Sequence, residues 1–443
     1  MRKLMLPMLA LLLVACNIFQ ASVQVTQTPA VLSNQITPSN TALPLATPAP
    51  PEIPLPSATL ESTAEPSLSP TFTASPVNPQ PPAPPYFTIG ESFTLTSIHM
   101  VSDTAGWGIS GQYILVTRDG GLTWREVTPP EIFSSGTNVE AYGAFPEEQT
   151  AWVIFSEDSQ ISPGASVWIT SDGGLTWKAG QPLLHGVYGD IVWAEFASLN
   201  ARTGWIAIRG AWAGAGSHYD SQLFRTTDGG LTWENLVTST DVDIAFQDFT
   251  GLVFSDEKTG WLTWQFLGAY ISWPASYATT ADGGSTWESH NLPTPAEVPD
   301  LYDKYWYCEP YQPNLLSPLS IRLLVVCNGG DLPAIGYLYA TENAGTTWQI
   351  HPLPVVPKID QGDRLFFFDP NNATLLGHEI YHTTDAGMTW TLITTVAWDH
   401  TQFDFINGQV GWAIVSIGDN PPALVKTNNG GKSWQEIKPV IGK

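Results

Sequence analysis

Basic residues are scarce in this chain: 17 Lys and Arg stand against 41 Asp and Glu over 443 residues, a formal net charge of −24. Nucleic acids are held by cationic side chains that neutralise phosphates, so the balance excludes a nucleic-acid binder. The acidity reads as a solvated exterior or, more sharply, as a preference for a cationic partner. Cysteine is also rare, with only Cys16, Cys308 and Cys327. The last two have no nearby Cys or His pair at zinc-ligand spacing, so neither a metal nor a cofactor is expected. Long apolar runs are missing too: beyond one stretch near the start, none could form a membrane-crossing helix.

That first stretch has a different logic. Arg2 and Lys3 precede an apolar run from Leu4 to Val14, the order of an export signal and too short to span a bilayer. It ends in Leu13, Val14, Ala15 and Cys16, which resembles the lipobox of bacterial lipoproteins. The resemblance implies a signal peptide over 1–15, cleavage before Cys16 and lipidation of its sulfur. The chain would then be exported and anchored to the outer surface of the cytoplasmic membrane or to the outer membrane. In such an oxidising compartment the two remaining cysteines, Cys308 and Cys327, are expected to form a disulfide. Residues 16–85 follow the anchor with a Pro-, Thr- and Ser-rich composition, which reads as an extended, unfolded stalk.

From Tyr86 onward Trp, Tyr, Phe and Gly become abundant, and an octapeptide recurs seven times. It runs from Thr117 to Trp124 (TRDGGLTW), Thr170 to Trp177, Thr226 to Trp233, Thr280 to Trp287, Thr341 to Trp348, Thr383 to Trp390 and Thr427 to Trp434. Its third position is Asp119, Asp172, Asp228, Asp282, Asn343, Asp385 or Asn429, a side chain able to bond the backbone of a tight turn. Glycine follows because the turn needs backbone angles that other residues resist. The closing Trp124, Trp177, Trp233, Trp287, Trp348, Trp390 and Trp434 each begin a strand and wedge a ring between hairpins. A second signature lies upstream in five repeats, at Gly106-Trp107, Ala151-Trp152, Gly204-Trp205, Gly260-Trp261 and Gly411-Trp412.

These octapeptides resemble the Asp-box, or BNR, repeat, and their combination with the Gly-Trp strand is most similar to the photosystem II stability and assembly factor family. The likeness extends over nearly all of residues 93–441. Each repeat reads as four strands with the octapeptide between the third and fourth; blade one would use 94–100, 107–110, 113–117 and 123–127. The expected fold is all-β, a seven-bladed β-propeller over 86–443, with a β-solenoid as the alternative that uneven repeat spacing disfavours. Residues 86–93 either lead into the ring or add an outer strand to its last blade.

One Asp per blade is spread around a ring, so the octapeptide side chains read as structural rather than catalytic. In a four-stranded antiparallel blade the first and third connections share one face, which the octapeptides occupy. Insertions elsewhere must gather on the opposite face. Three are prominent, at 210–221, 265–276 and 300–313, and the expected disulfide would pin the third to the start of blade five. Their aromatic residues Trp212, Tyr219, Trp273, Tyr302, Tyr305, Trp306 and Tyr307 form the candidate binding surface, unless the rings only pack the loops onto the blades.

No catalytic residue is assigned. A sialidase would need an Arg cluster and an Arg-Ile-Pro motif, which are missing, and xyloglucanase-type Asp-box enzymes use two propellers where this chain has one. Asp220, Asp300, Asp303 and Glu309 leave glycan binding or hydrolysis as the runner-up. The family resemblance implies a non-enzymatic scaffold that binds an envelope or membrane protein. That family's Arg-rich interface has no counterpart in this acidic domain, so its interface residues are not carried over.

Overall fold

The computed structural model describes residues 86–443 except 131, 133–138, 158–164, 184–190, 213–218, 239–248, 265–273, 330–331, 355–364, 399 and 419. Cys16, the Pro-rich segment and Trp273 lie outside the described residues.

Seven antiparallel sheets follow one another along the chain. Blade one is Ser97–Met100, Gly106–Ser110, Tyr113–Thr117 and Thr123–Glu126, each strand bonded to the next. The later blades span 139–182, 191–238, 249–291, 307–352, 365–395 and 400–437. Burial explains the composition of each strand. The second and third strands of blade one are buried almost throughout, because a neighbouring blade covers each face. Outer strands such as Lys178–Pro182 face solvent and are polar.

The ring is visible in the packing. Among the described residues, seven apolar clusters each join two consecutive blades, and one of them joins blade seven to blade one. The fold is therefore a seven-bladed β-propeller. It closes from the C-terminal side: Val440–Ile441 pairs in parallel with Thr123 and Trp124, adding a fifth strand to blade one. Gly90 donates its N–H to the Ile441 carbonyl (2.8 Å) and Ile441 donates to that of Glu91 (2.9 Å). The lead-in thus packs on this closing strand of blade one and adds no outer strand to blade seven.

The octapeptide turn has one hydrogen-bond pattern in all seven copies. In blade three the Thr226 hydroxyl donates to Asp228 (2.9 Å) and accepts from the Gly230 amide (2.8 Å). Asp228 also takes the Thr232 amide (2.9 Å) and hydroxyl (2.6 Å). Where Asn replaces Asp the last bond reverses, and the Asn343 and Asn429 amides donate to Thr347 and Ser433. The fourth residue of every copy then donates its N–H to a carbonyl in the first connection of the same blade, from Gly120 to Thr104 through Gly430 to Gln409. The two connections are thereby locked together on one face.

The turn also reaches the preceding blade. Trp205 of blade three donates its indole N–H to Gly283 (2.8 Å), and Trp412 of blade seven donates to Gly120 of blade one (3.0 Å). Trp107, Trp152, Trp205, Trp261 and Trp412 are all buried, with Trp205 stacked on Phe254 of the next blade. Blades five and six lack this Trp. Arg322 and Thr374 stand in its register, opposite Ala340 and His382.

The turn carboxylates are sensitive to pH in a defined sense. At Asp228 partial burial opposes ionisation, but the Thr232 hydroxyl and amide and the Thr226 hydroxyl outweigh it and hold the carboxyl below its usual range. A depressed folded pKa means that the stabilisation is complete above the unfolded value, about 3.9, and is lost as pH falls through the lower folded value. Asp228→Ala should cost about 1 kcal/mol, solvent screening keeping the figure small. Asp228→Asn should retain most of that stability, since Asn343 and Asn429 build the same turn, and should make unfolding below pH 4 less steep. Urea melts of the three proteins at neutral and acid pH test this; equal losses from Ala and Asn would refute the turn's role.

Candidate functional site

The segment before blade five is a short helix, Leu301–Lys304, and not the continuous loop expected for 300–313. Its Leu301 is buried, and Asp300 pairs with Lys304 (2.9 Å). Tyr307–Pro310 then forms the first strand of blade five, paired with Ile321–Gly329. Cys308 and Cys327 are direct cross-strand partners and form a disulfide. The bond therefore lies within the blade, inside the apolar cluster shared with blade four. A strand explains what a loop reading missed: Cys308 and Pro310 turn inward while Tyr307 faces out.

The aromatic set divides accordingly. Tyr305 is buried, its hydroxyl donating to the Pro333 carbonyl (3.4 Å), so it belongs to the core and not to a binding surface. Tyr302 is half-buried and donates to Leu292 (3.1 Å); burial pushes its hydroxyl pKa up to about 12. Trp306 and Tyr307 are exposed, at 69% and 40%. The strand that Tyr307 begins is nevertheless fixed by the disulfide, and Trp306 just before it by its amide bond to Asn328 (2.9 Å). Exposed Leu332, which the sequence did not single out, begins the third strand at the same end of the blade, opposite Gly329. Trp212 and Tyr219 are not loop residues but backbone partners in register at the end of a strand pair that continues the second hairpin of blade three. Their side chains, like that of Trp273, lie outside the described residues.

Chain direction puts Trp306, Tyr307 and Leu332 on the face opposite the octapeptide turns. The carboxylates there differ in character. Lys304 holds Asp300 below its usual range, whereas burial raises Glu309, which accepts from the Tyr311 hydroxyl (3.1 Å). Blade five is braced on blade four by Gln312, whose amide bonds both the N–H and the carbonyl of Leu252 (3.1 and 2.9 Å). Among the described residues, no group of three or more His, Cys, Asp or Glu is arranged to hold a metal ion.

The sequence matches no protein-family model and no curated protein. Solved structures share its fold. YCF48 bound to a D1 peptide is 18% identical with a TM-score of 0.45, over 77% of this chain and 97% of that one. Polysaccharide lyase Uly1 is 10% identical with a TM-score of 0.49, over 81% and 94%. A puromycin hydrolase S511A mutant is 11% identical with a TM-score of 0.51, over 79% of this chain and 54% of that protein. At such identities the likeness concerns fold alone.

The disulfide sits beneath the exposed pair, with Cys308 and Cys327 both buried. Replacing both by Ala should destabilise the domain by about 2–4 kcal/mol, since a closed loop in the unfolded chain is released. Melts of the wild type with and without reductant should bracket the same difference. A double variant as stable as the wild type would show that the strand pairing alone holds this site.

Proposed function

We propose that the protein is a non-enzymatic scaffold, built on Asp-box repeats and lipidated at Cys16, whose propeller captures an envelope or membrane protein through blade five. The observation that carries this reading is the exposed Trp306–Tyr307 pair at the start of a disulfide-fixed strand. Exposed aromatic rings on a rigid support lose little conformational entropy when they are covered, and they are the side chains from which interface hot spots are made. Glu297, Asp300, Asp303 and Glu309, near them in sequence, outnumber Lys304, which favours a partner segment that joins an apolar residue to Lys or Arg. A glycan-active alternative rests on Glu309, whose raised pKa suits a proton donor.

Crosslinking and capture from native membranes should return one defined protein. Binding of that protein should weaken roughly thirtyfold, about 2 kcal/mol, in Trp306→Ala, with unfolding unchanged because the ring is exposed. Capture unaffected by Trp306→Ala and Tyr307→Ala removes the proposed surface. Cleavage of a glycan, abolished by Glu309→Gln, would establish the alternative.

The address has its own test. Mass spectrometry of the mature protein should find Cys16 at the amino terminus carrying acyl chains, and Cys16→Ser should leave the chain unlipidated. An unmodified Cys16 would refute the anchor.

A further inference from the structure

The seven repeats serve as internal controls for one another, and one boundary between them departs from the rest. On the octapeptide face, the residue after each closing Trp lies at the start of the outer strand, beside the boundary with the next blade. Arg125 shows the geometry, donating to the Gly173 carbonyl of blade two (3.1 Å). Opposite it stands the residue of the first connection whose carbonyl receives the turn N–H. Between blades two and three these two positions are Lys178 and Arg202. The next boundary has Glu234, which is ion-paired to Arg225 (2.8 Å), with Lys258; that between blades one and two has Arg125 with Gln149, and the other four have no cation at either position. Arg118 and Arg125 also meet, at Gly173 between blades one and two, but Arg118 is paired with Glu148 (3.5 Å), so the groove of Lys178 and Arg202 differs in that, among the described residues, neither of its cations is paired.

That groove is a cleft of about 330 Å³, lined by Lys178, Arg202, Thr150, Ser171 and Asp228 among others. Among the described residues neither cation has a salt-bridge partner. Asp228, the carboxylate in the lining, is already occupied by Thr226 and Thr232. Arg202 is presented by a rigid turn: its amide donates to Asn200 Oδ1 (2.8 Å), and its carbonyl accepts from Gly229 (2.9 Å). Two cations on fixed backbone beside hydroxyl groups match an oxyanion carried on a hydroxylated body, and the volume suits one sugar ring.

We propose that the groove between blades two and three binds the carboxylate of an acidic sugar, a uronate, through Lys178 and Arg202. Thr150 and Ser171 meet the sugar hydroxyls. The site is independent of the aromatic surface on the opposite face and stands or falls without it.

The test is a ligand-observed NMR titration of the full chain with glucuronate, glucose and glutamate. Glucuronate should saturate one site and weaken as salt rises, while glucose and glutamate bind far more weakly. Lys178→Gln with Arg202→Gln should raise the glucuronate Kd about tenfold or more with an unchanged melting temperature, and Lys258→Gln in the neighbouring groove should leave it unaltered. No saturable glucuronate binding overturns the proposal. So does equal binding of glucose or glutamate, or an unchanged affinity in the double variant.

Discussion

At the apex of each octapeptide turn, a backbone group must bond within its own blade while lying against the blade before it. The fifth position of the turn lies where the two blades meet. A Cβ on Gly230 would stand 3.2 Å from Ile169 and 3.3 Å from Trp152, and one on Gly387 would come within 2.1 Å of Leu338. Position five is glycine in every copy: at Gly174, Gly284, Gly345 and Gly387 a Cβ would come within 3.0 Å of a neighbouring side chain, and all seven have φ between 77° and 99°. Position four also has positive φ, yet Ala344 and Ala386 occupy it at 53° and 63°. Left-handed backbone costs an alanine about 1 kcal/mol, which the surrounding bonds sustain; an overlap with a neighbouring core side chain cannot be sustained in the same way. The spacing of the blades follows from how closely this backbone approaches the preceding blade.

Most of the architecture was legible because that constraint repeats. The octapeptide announces itself by residue types that its hydrogen bonds require, so the number of blades and the position of each third connection could be read directly. Ring closure could not. Val440 and Ile441 are two residues whose pairing is parallel and non-local, and nothing in so short a segment distinguishes a closing strand from a tail. The first strand of blade five was hidden for a related reason. Asp300 to Pro313 is rich in aromatic residues that occur equally in a loop and in a half-buried strand, and only the cross-strand partner of Cys308 separates Tyr305 in the core from Trp306 outside it.

Blades five and six show what the ring tolerates. Where Trp is replaced, Arg322 is buried and bonded to Ser320, Thr341 and Glu342, with its guanidinium over Phe367 of the next blade. A charge in this position is sustained by hydrogen bonds and a carboxylate partner, as buried cations require. In blade six Thr374 takes the Trp position, and beside it the His382 ring lies where a Cβ on Gly430 would meet it at 2.8 Å. Lys426 and Arg225 make the same approach to Gly120 and Gly283 in blades that keep their Trp, so this contact belongs to the adjacent strand whether or not the Trp is present.

Repetition also separates structural chemistry from the rest. A residue needed by every blade recurs in every blade, so the conspicuous Asp side chains explain the ring and have their oxygens committed within it. Selective interactions must then come from positions where one blade differs from its siblings. Two such departures lie on opposite faces and carry opposite character: the exposed rings of Trp306 and Tyr307 amid carboxylates, and the paired cations Lys178 and Arg202 on an otherwise acidic chain. Neither is demanded by the hydrogen-bond pattern of the turns or by the apolar clusters between blades. A solvent-exposed Trp contributes little to folding, and two cations lining one cleft, unpaired among the described residues, do not favour it, so neither feature is accounted for by stability alone.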